Sequence, residues 1–136
     1  MDRIDSNGAA LRVIDYKTGA VPPVKDVAAL YQTQLALLAA MAEQGAFGLA
    51  GTGLVERLDY LKLSGGRKPG STQAALGRAP LDELRAHLDA ALQDCRALVD
   101  SHLLGDAPFR AKQHMVYGRR FRDFDQLARV AEWLGR

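Results

Sequence analysis

The chain has 136 residues, 48% of them hydrophobic and 25% charged, with a net charge of +2, which suits one ordinary domain and excludes a disordered chain. No apolar run reaches the ~20 residues of a membrane-spanning helix, and the opening MDRID does not read as a signal peptide. A single cysteine, Cys95, excludes an internal disulfide and any all-cysteine metal cluster within the chain, so a reducing cytoplasm is the expected compartment.

In chain order, DRIDS and ALRVIDYK predict two strands around Asn7-Gly8, a strong hairpin signal. Gly19 and the Pro22-Pro23 pair predict a loop from Lys17 to Lys25. Asp26 is expected to cap a helix running to about Gln44, with Gly45 as its stop. LVERLDYLKLS predicts a third strand ending at Gly65-Gly66. The polar, glycine-rich and basic stretch from Gly65 to Pro80 is expected to be a mobile loop. Leu81, Leu84, Leu88, Ala91, Leu92, Cys95, Leu98 and Val99 fall at helical spacing and predict an amphipathic helix from Leu81 to about Leu104. After Gly105 comes an irregular stretch, and FDQLARVAEWLGR predicts a last helix. This order implies an α/β or α+β fold, a mixed β-sheet flanked by helices.

The second strand carries charge at its tip. Leu11, Val13, Asp15 and Lys17 alternate onto one face. A two-residue turn at Asn7-Gly8 sets Ile4 opposite Leu11 and Asp2 opposite Val13. Asp2 then shares a face with Asp15, one diagonal step away at roughly 7–8 Å between Cβ atoms. Two carboxylates so placed can share a hard cation such as Mg²⁺, and Lys17 would reach a phosphate or an attacking water. Asp5 falls on the opposite face, although an odd-length loop would exchange the two acids. The plain alternative is a solvated Asp-x-Lys ion pair at a strand end.

In the following helix, Val27, Leu30, Tyr31, Leu35, Leu38 and Met41 form the expected buried stripe. Gln34 lies inside that stripe. Either it sits at the stripe's edge in contact with water, or it faces Asp15 and Lys17, because a buried amide without partners costs about 1–3 kcal/mol.

An acid opening one strand, IDYKTG ending the next and QLALL in the helix resemble the PD-(D/E)XK nuclease superfamily in its RecB-like branch. QLALLAAMAEQGAF, LDYLKLSGG and YGRRFRDFDQLARVAEW extend the likeness, from Asp2 nearly to Arg136, to the C-terminal nuclease region of bacterial AddB-type helicase–nuclease subunits. The resemblance implies a partial restriction-endonuclease-like core with C-terminal helices. It implies Mg²⁺, replaceable by Mn²⁺, on Asp2, Asp15 and the backbone carbonyl of Tyr16, with Lys17 activating water and Gln34 steadying the site. It further implies hydrolysis of DNA phosphodiesters in double-strand break repair and recombination, beside a companion AddA-like subunit in a bacterial cytoplasm.

Several family features are missing. Met1 stands just before Asp2, the family's preceding helix and helicase-like region are absent, and Leu38 replaces a usual tyrosine. Cys95 alone cannot hold the iron–sulfur cluster of some members. The expectation is a single nuclease-type domain fragment over residues 1–136, with nuclease activity expected of the parent protein rather than of the isolated fragment, and with exposed apolar surface that promotes self-association.

His87, His102 and His114 show no zinc spacing and are expected at the surface or in helix packing. Cys95 is expected in the core, and Trp133 as a packing anchor. SGGRKPGS lacks the spacing of a phosphate-binding glycine loop. Arg67, Lys68, Arg119, Arg120 and Arg122 are candidate DNA-phosphate contacts, a solvated basic face being the plainer reading. Two functions stay open: a catalytic DNA nuclease domain, or a non-catalytic DNA-binding or subunit-docking module on the same fold.

Overall fold

The computed structural model describes residues 2–49, 53–67 and 69–109. The chain divides into two units, Met1–Leu98 and Val99–Arg136. In the first, β1 (Arg3–Ser6), β2 (Ala10–Lys17), β3 (Leu54–Leu63) and β4 (Gly70–Ala74) form one sheet in that order. β1 and β2 are antiparallel, β2 and β3 parallel, and β3 and β4 antiparallel. Between β2 and β3 run α1 (Val24–Ala28), α2 (Gln34–Glu43) and a 3₁₀ turn at Ala46–Gly48, and α3 (Leu81–Val99) follows β4. This is the mixed sheet with flanking helices, of α/β class, that the order of sequence signals implies.

The hairpin forms, with its turn displaced by one residue. Gly8 takes φ +87, and Asn7 N–H donates to the Ala10 carbonyl at 3.2 Å, so Gly8-Ala9 are the two turn residues. Asn7 precedes the turn and its Oδ1 accepts from the N–H groups of Ala9 (3.0 Å) and Ala10 (2.8 Å). An Asx side chain that bonds its own backbone two and three residues on selects this turn over the one centred on Asn7-Gly8. Ile4 therefore faces Val13, not Leu11, a slip of two residues that leaves every side chain on its expected face.

The single helix expected over Asp26–Gln44 is two helices. Leu30 adopts φ +57. Leu30 N–H bonds the Val27 carbonyl and Tyr31 N–H the Asp26 carbonyl, the paired bonds of a Schellman stop. That stop usually carries glycine, and a leucine there costs roughly 1–2 kcal/mol, so the sequence gives no sign of it. Leu30 packs against the core, which helps hold it there. Asp26 lies inside the first turn of α1 and makes no cap; Pro23 holds that position. The break also rotates the buried stripe. Leu35, Ala36, Ala39, Ala40 and Ala42 are buried, whereas Tyr31 and Met41 are about half exposed. Gly45 at φ +85 ends α2 as expected.

The stretch from Gly65 to Pro80, expected as a loop, contains β4. GSTQA has little apolar content, so its strand state comes from the ladder with β3, from Asp59↔Ala74 to Leu63↔Gly70. Gln73 Nε2 also donates to the Pro22 carbonyl at 2.9 Å, tying β4 to the segment after β2.

The core joins Leu11, Val13, Val27, Leu35, Val55, Leu58 and Tyr60 to Leu84, Leu88 and Ala91 of α3. The apolar stripe of α3 continues beyond Ala91, but Leu98 and Val99 are exposed and Cys95 is half-buried, not core. Leu81, at the other end, is also exposed. In the second unit the chain makes a π-helical turn at Asp100–Leu104 where α-helix was expected. There His102 Nδ1 lies 3.0 Å from the Ala107 carbonyl and its ring stacks on Phe109, with centroids 4.9 Å apart. The last predicted helix, His114 and Trp133 lie outside the described residues. No described helix is long and apolar enough to cross a membrane.

Candidate active site

Strand alternation carries Leu11 and Val13 into the core and continues to Asp15 and Lys17, so the two charges sit where the core meets solvent at the carboxyl end of β2. Asp15 is 4% exposed. A carboxylate so buried must be paired or hydrogen-bonded. Lys17 Nζ lies 2.6 Å from its Oδ2, and Gln34 Nε2 donates to its Oδ1 at 3.3 Å. Gln34 is the first residue of α2 and is exposed, so it reaches Asp15 from the edge of the helix and both sequence readings of it hold. The Schellman stop at Leu30 starts α2 afresh and thereby sets Gln34 at this point.

Continuing the hairpin register by one residue sets Asp2 directly across from Asp15, closer than the diagonal placement expected. Its Oδ2 accepts from Tyr16 N–H at 2.6 Å. Asp5 is on the other face, paired with Arg3. The structure therefore brings together Asp2, Asp15, Lys17 and Gln34.

Tyr60 completes the floor. It is Asp15's neighbour across the parallel ladder, is 2% exposed, and its ring centroid lies 5.7 Å from Lys17 Nζ. That cation–π contact and the Asp15 carboxylate both attract the ammonium to this position. Burial, and secondarily the Asp15 charge, push the Tyr60 phenol up to about 12, so it stays protonated near neutrality and cannot serve as a base. Sequence reading passed over Tyr60, because its place depends on the β2–β3 register.

The donor atoms suit a hard divalent cation. Asp15 Oδ2 is buried and has no hydrogen-bond partner among the described residues; the Lys17 ammonium lies 2.6 Å from it as an ion pair. Mg²⁺ binds through one or two carboxylates plus waters and substrate phosphate oxygens. Asp15 and Asp2 would supply those carboxylates. Among the described residues, no group of three histidine, cysteine or acidic side chains surrounds a common point.

A second buried aspartate was also missed. Asp59 is fully buried on the opposite face of β3, and its Oδ2 meets Arg12 Nε at 2.5 Å and Arg57 Nε at 2.7 Å. Its signal was an acid within the otherwise apolar LDYL of β3.

Arg67 is exposed in the turn joining β3 to β4. Lys68, Arg119, Arg120 and Arg122 lie outside the described residues. A family model described as the PD-(D/E)XK nuclease superfamily matches residues 1–119. No curated protein and no solved structure is significantly similar to the chain.

Proposed function

The chain belongs to the PD-(D/E)XK nuclease superfamily, and from that premise we propose that it hydrolyses DNA phosphodiesters with a divalent cation, as the nuclease region of a RecB-like, AddB-type helicase–nuclease subunit. Superfamily membership makes it a nuclease-type domain acting on DNA, in a family that generally uses divalent metals such as Mg²⁺. The reading is supported above all by one observation: a buried carboxylate, Asp15, is held between a lysine ammonium and an amide at a strand's carboxyl end, with a second carboxylate across the ladder.

In this reading Asp15, Asp2 and the Tyr16 carbonyl hold Mg²⁺, or Mn²⁺ in its place. When bound, the cation lowers the pKa of a coordinated water and neutralises charge on the phosphate. Lys17, now against Asp15, turns toward the phosphate and the attacking water, where its positive charge stabilises the developing oxyanion. Gln34 keeps the Asp15 carboxylate oriented by its amide hydrogen bond. Arg67, in the β3–β4 turn, contacts backbone phosphate. The companion is an AddA-like helicase subunit, and the setting is double-strand break repair in a bacterial cytoplasm.

A second reading, a DNA-binding or docking module without catalysis, draws on the direct closure of Lys17 on Asp15. The experiment that separates the two measures cleavage of labelled duplex DNA with Mg²⁺ or Mn²⁺, by wild type and by Lys17→Ala. Loss of cleavage by about 10²-fold or more with the fold intact is expected. Equal cleavage by both proteins overturns the assignment. Calorimetric titration with Mn²⁺ reports separately on the metal site, and an absence of binding counts for the second reading.

A further inference from the structure

Five basic side chains lie on the four strands: Arg3, Arg12, Lys17, Arg57 and Lys62. Four are in ion pairs: Arg3 with Asp5, Arg12 and Arg57 with Asp59, and Lys17 with Asp15. Lys62 has no carboxylate partner among the described residues.

Its position is specific. Lys62 pairs with Lys17 across the parallel ladder, at the last register position that β2 and β3 share. Residues directly opposite on adjacent strands share a face, and strands lie ~4.8 Å apart. Lys62 is also two residues after Tyr60, whose ring lies beside Lys17. The two lysines thus stand side by side on the face that carries Asp15. Like charges placed opposite each other destabilise a sheet, and only one of this pair is offset by a carboxylate. The carboxyl ends of neighbouring parallel strands are where open α/β sheets bind ligands. β3 continues from Lys62 into the turn closed by Ser64 N–H on the Pro69 carbonyl at 3.1 Å, which presents the exposed Arg67.

We propose that Lys62 is a substrate-binding residue that takes a DNA backbone phosphate adjacent to the one facing Lys17, and so directs the strand from the reacting centre toward Arg67. This rests on the nuclease reading above. With a divalent cation on Asp2 and Asp15, both ammoniums are left to meet phosphate, Lys17 at the scissile group and Lys62 beside it. Lys62 contributes to binding and register on the backbone, and it carries no base specificity.

The test is the salt dependence of duplex binding, without divalent cation so that no cleavage occurs, for the 136-residue wild type, Lys62→Gln and Lys62→Arg. Each phosphate neutralised contributes about −0.9 to the slope of log K against log salt on duplex DNA. Lys62→Gln is expected to make the slope shallower by about that amount, and Lys62→Arg to restore it. A loss of stability alone leaves the slope of the folded fraction unchanged, and circular dichroism melting monitors that fraction. If wild type binds DNA and Lys62→Gln keeps the full slope, the role of Lys62 is overturned and the nuclease reading stands. If wild type binds no DNA under these conditions, this inference is overturned, while the nuclease reading is decided by the cleavage assay with Mg²⁺ or Mn²⁺.

Discussion

Two aspartates, one on each face of the sheet, sit at neighbouring register positions: Asp15 pairs with Tyr60, and Ile14 with Asp59. Both are buried, at 4% and 0% exposure. Asp59 is held from two strands by guanidiniums of Arg12 and Arg57, planar groups that are permanently charged. Asp15 is held by one flexible ammonium and one amide from a different element. The first arrangement closes β2 to β3 and leaves no exchangeable partner. The second can release its lysine and accept a cation, since ammonium and metal compete for the same oxygen. Burial of an acid is common to both, and the nature of its partners decides whether the acid is structural or chemically available.

The largest expected effect tests the structural side of that contrast. Replacing both Arg12 and Arg57 by alanine leaves Asp59 buried and unpaired, at a cost of about 3–5 kcal/mol in urea unfolding. Cleavage per folded molecule should be unchanged, because neither arginine lies on the Asp15 face. A stability loss below ~1 kcal/mol would show that Asp59 is held by something other than this pair.

Gln34→Ala addresses the other side. It removes one hydrogen bond to Asp15, made at 3.3 Å and partly exposed, so stability should fall by only about 1 kcal/mol. The carboxylate also loses its orientation, and Mn²⁺ affinity should weaken by roughly 10–100-fold in calorimetry. Unaltered affinity would reduce Gln34 to a packing contact.

The smallest effect concerns His87, a buried group on α3 whose Nε2 has no hydrogen-bond partner among the described residues. Burial lowers its pKa, against a smaller opposing pull from Glu83. The unfolded chain therefore binds the proton more readily than the folded one. This contribution to stability is fully present above the unfolded pKa of about 6.5 and is lost as pH falls through it toward the lower folded value. Melting temperature should drop by a few degrees over that window, and His87→Gln should flatten the dependence. A wild-type curve that is flat below neutrality would mean that the ring finds a partner for its proton.

Much of the candidate site was legible because it lies in local alternation. Asp15 and Lys17 follow two buried residues of the same strand face, and the hairpin's even loop put Asp2 with them even though its turn was read one residue early. The stop at Leu30 was not legible, since a leucine in a left-handed conformation contradicts the local preference that sequence reading relies on. Neither was β4, because GSTQA has no strand signal until β3 offers it a ladder.

By itself the sequence determined the strand alternation that carries Asp15 and Lys17 to a strand's end, the hairpin that returns Asp2 to them, and the motif that places the chain in its superfamily. The tertiary structure alone decided that Tyr60 lies under Lys17, that Lys62 stands beside it, and that Asp59 is closed by two arginines. The physical reason is that alternation is a property of one strand. The register of two parallel strands joined through a long helical crossover is set by how the helices and sheet pack together, and no single strand contains it.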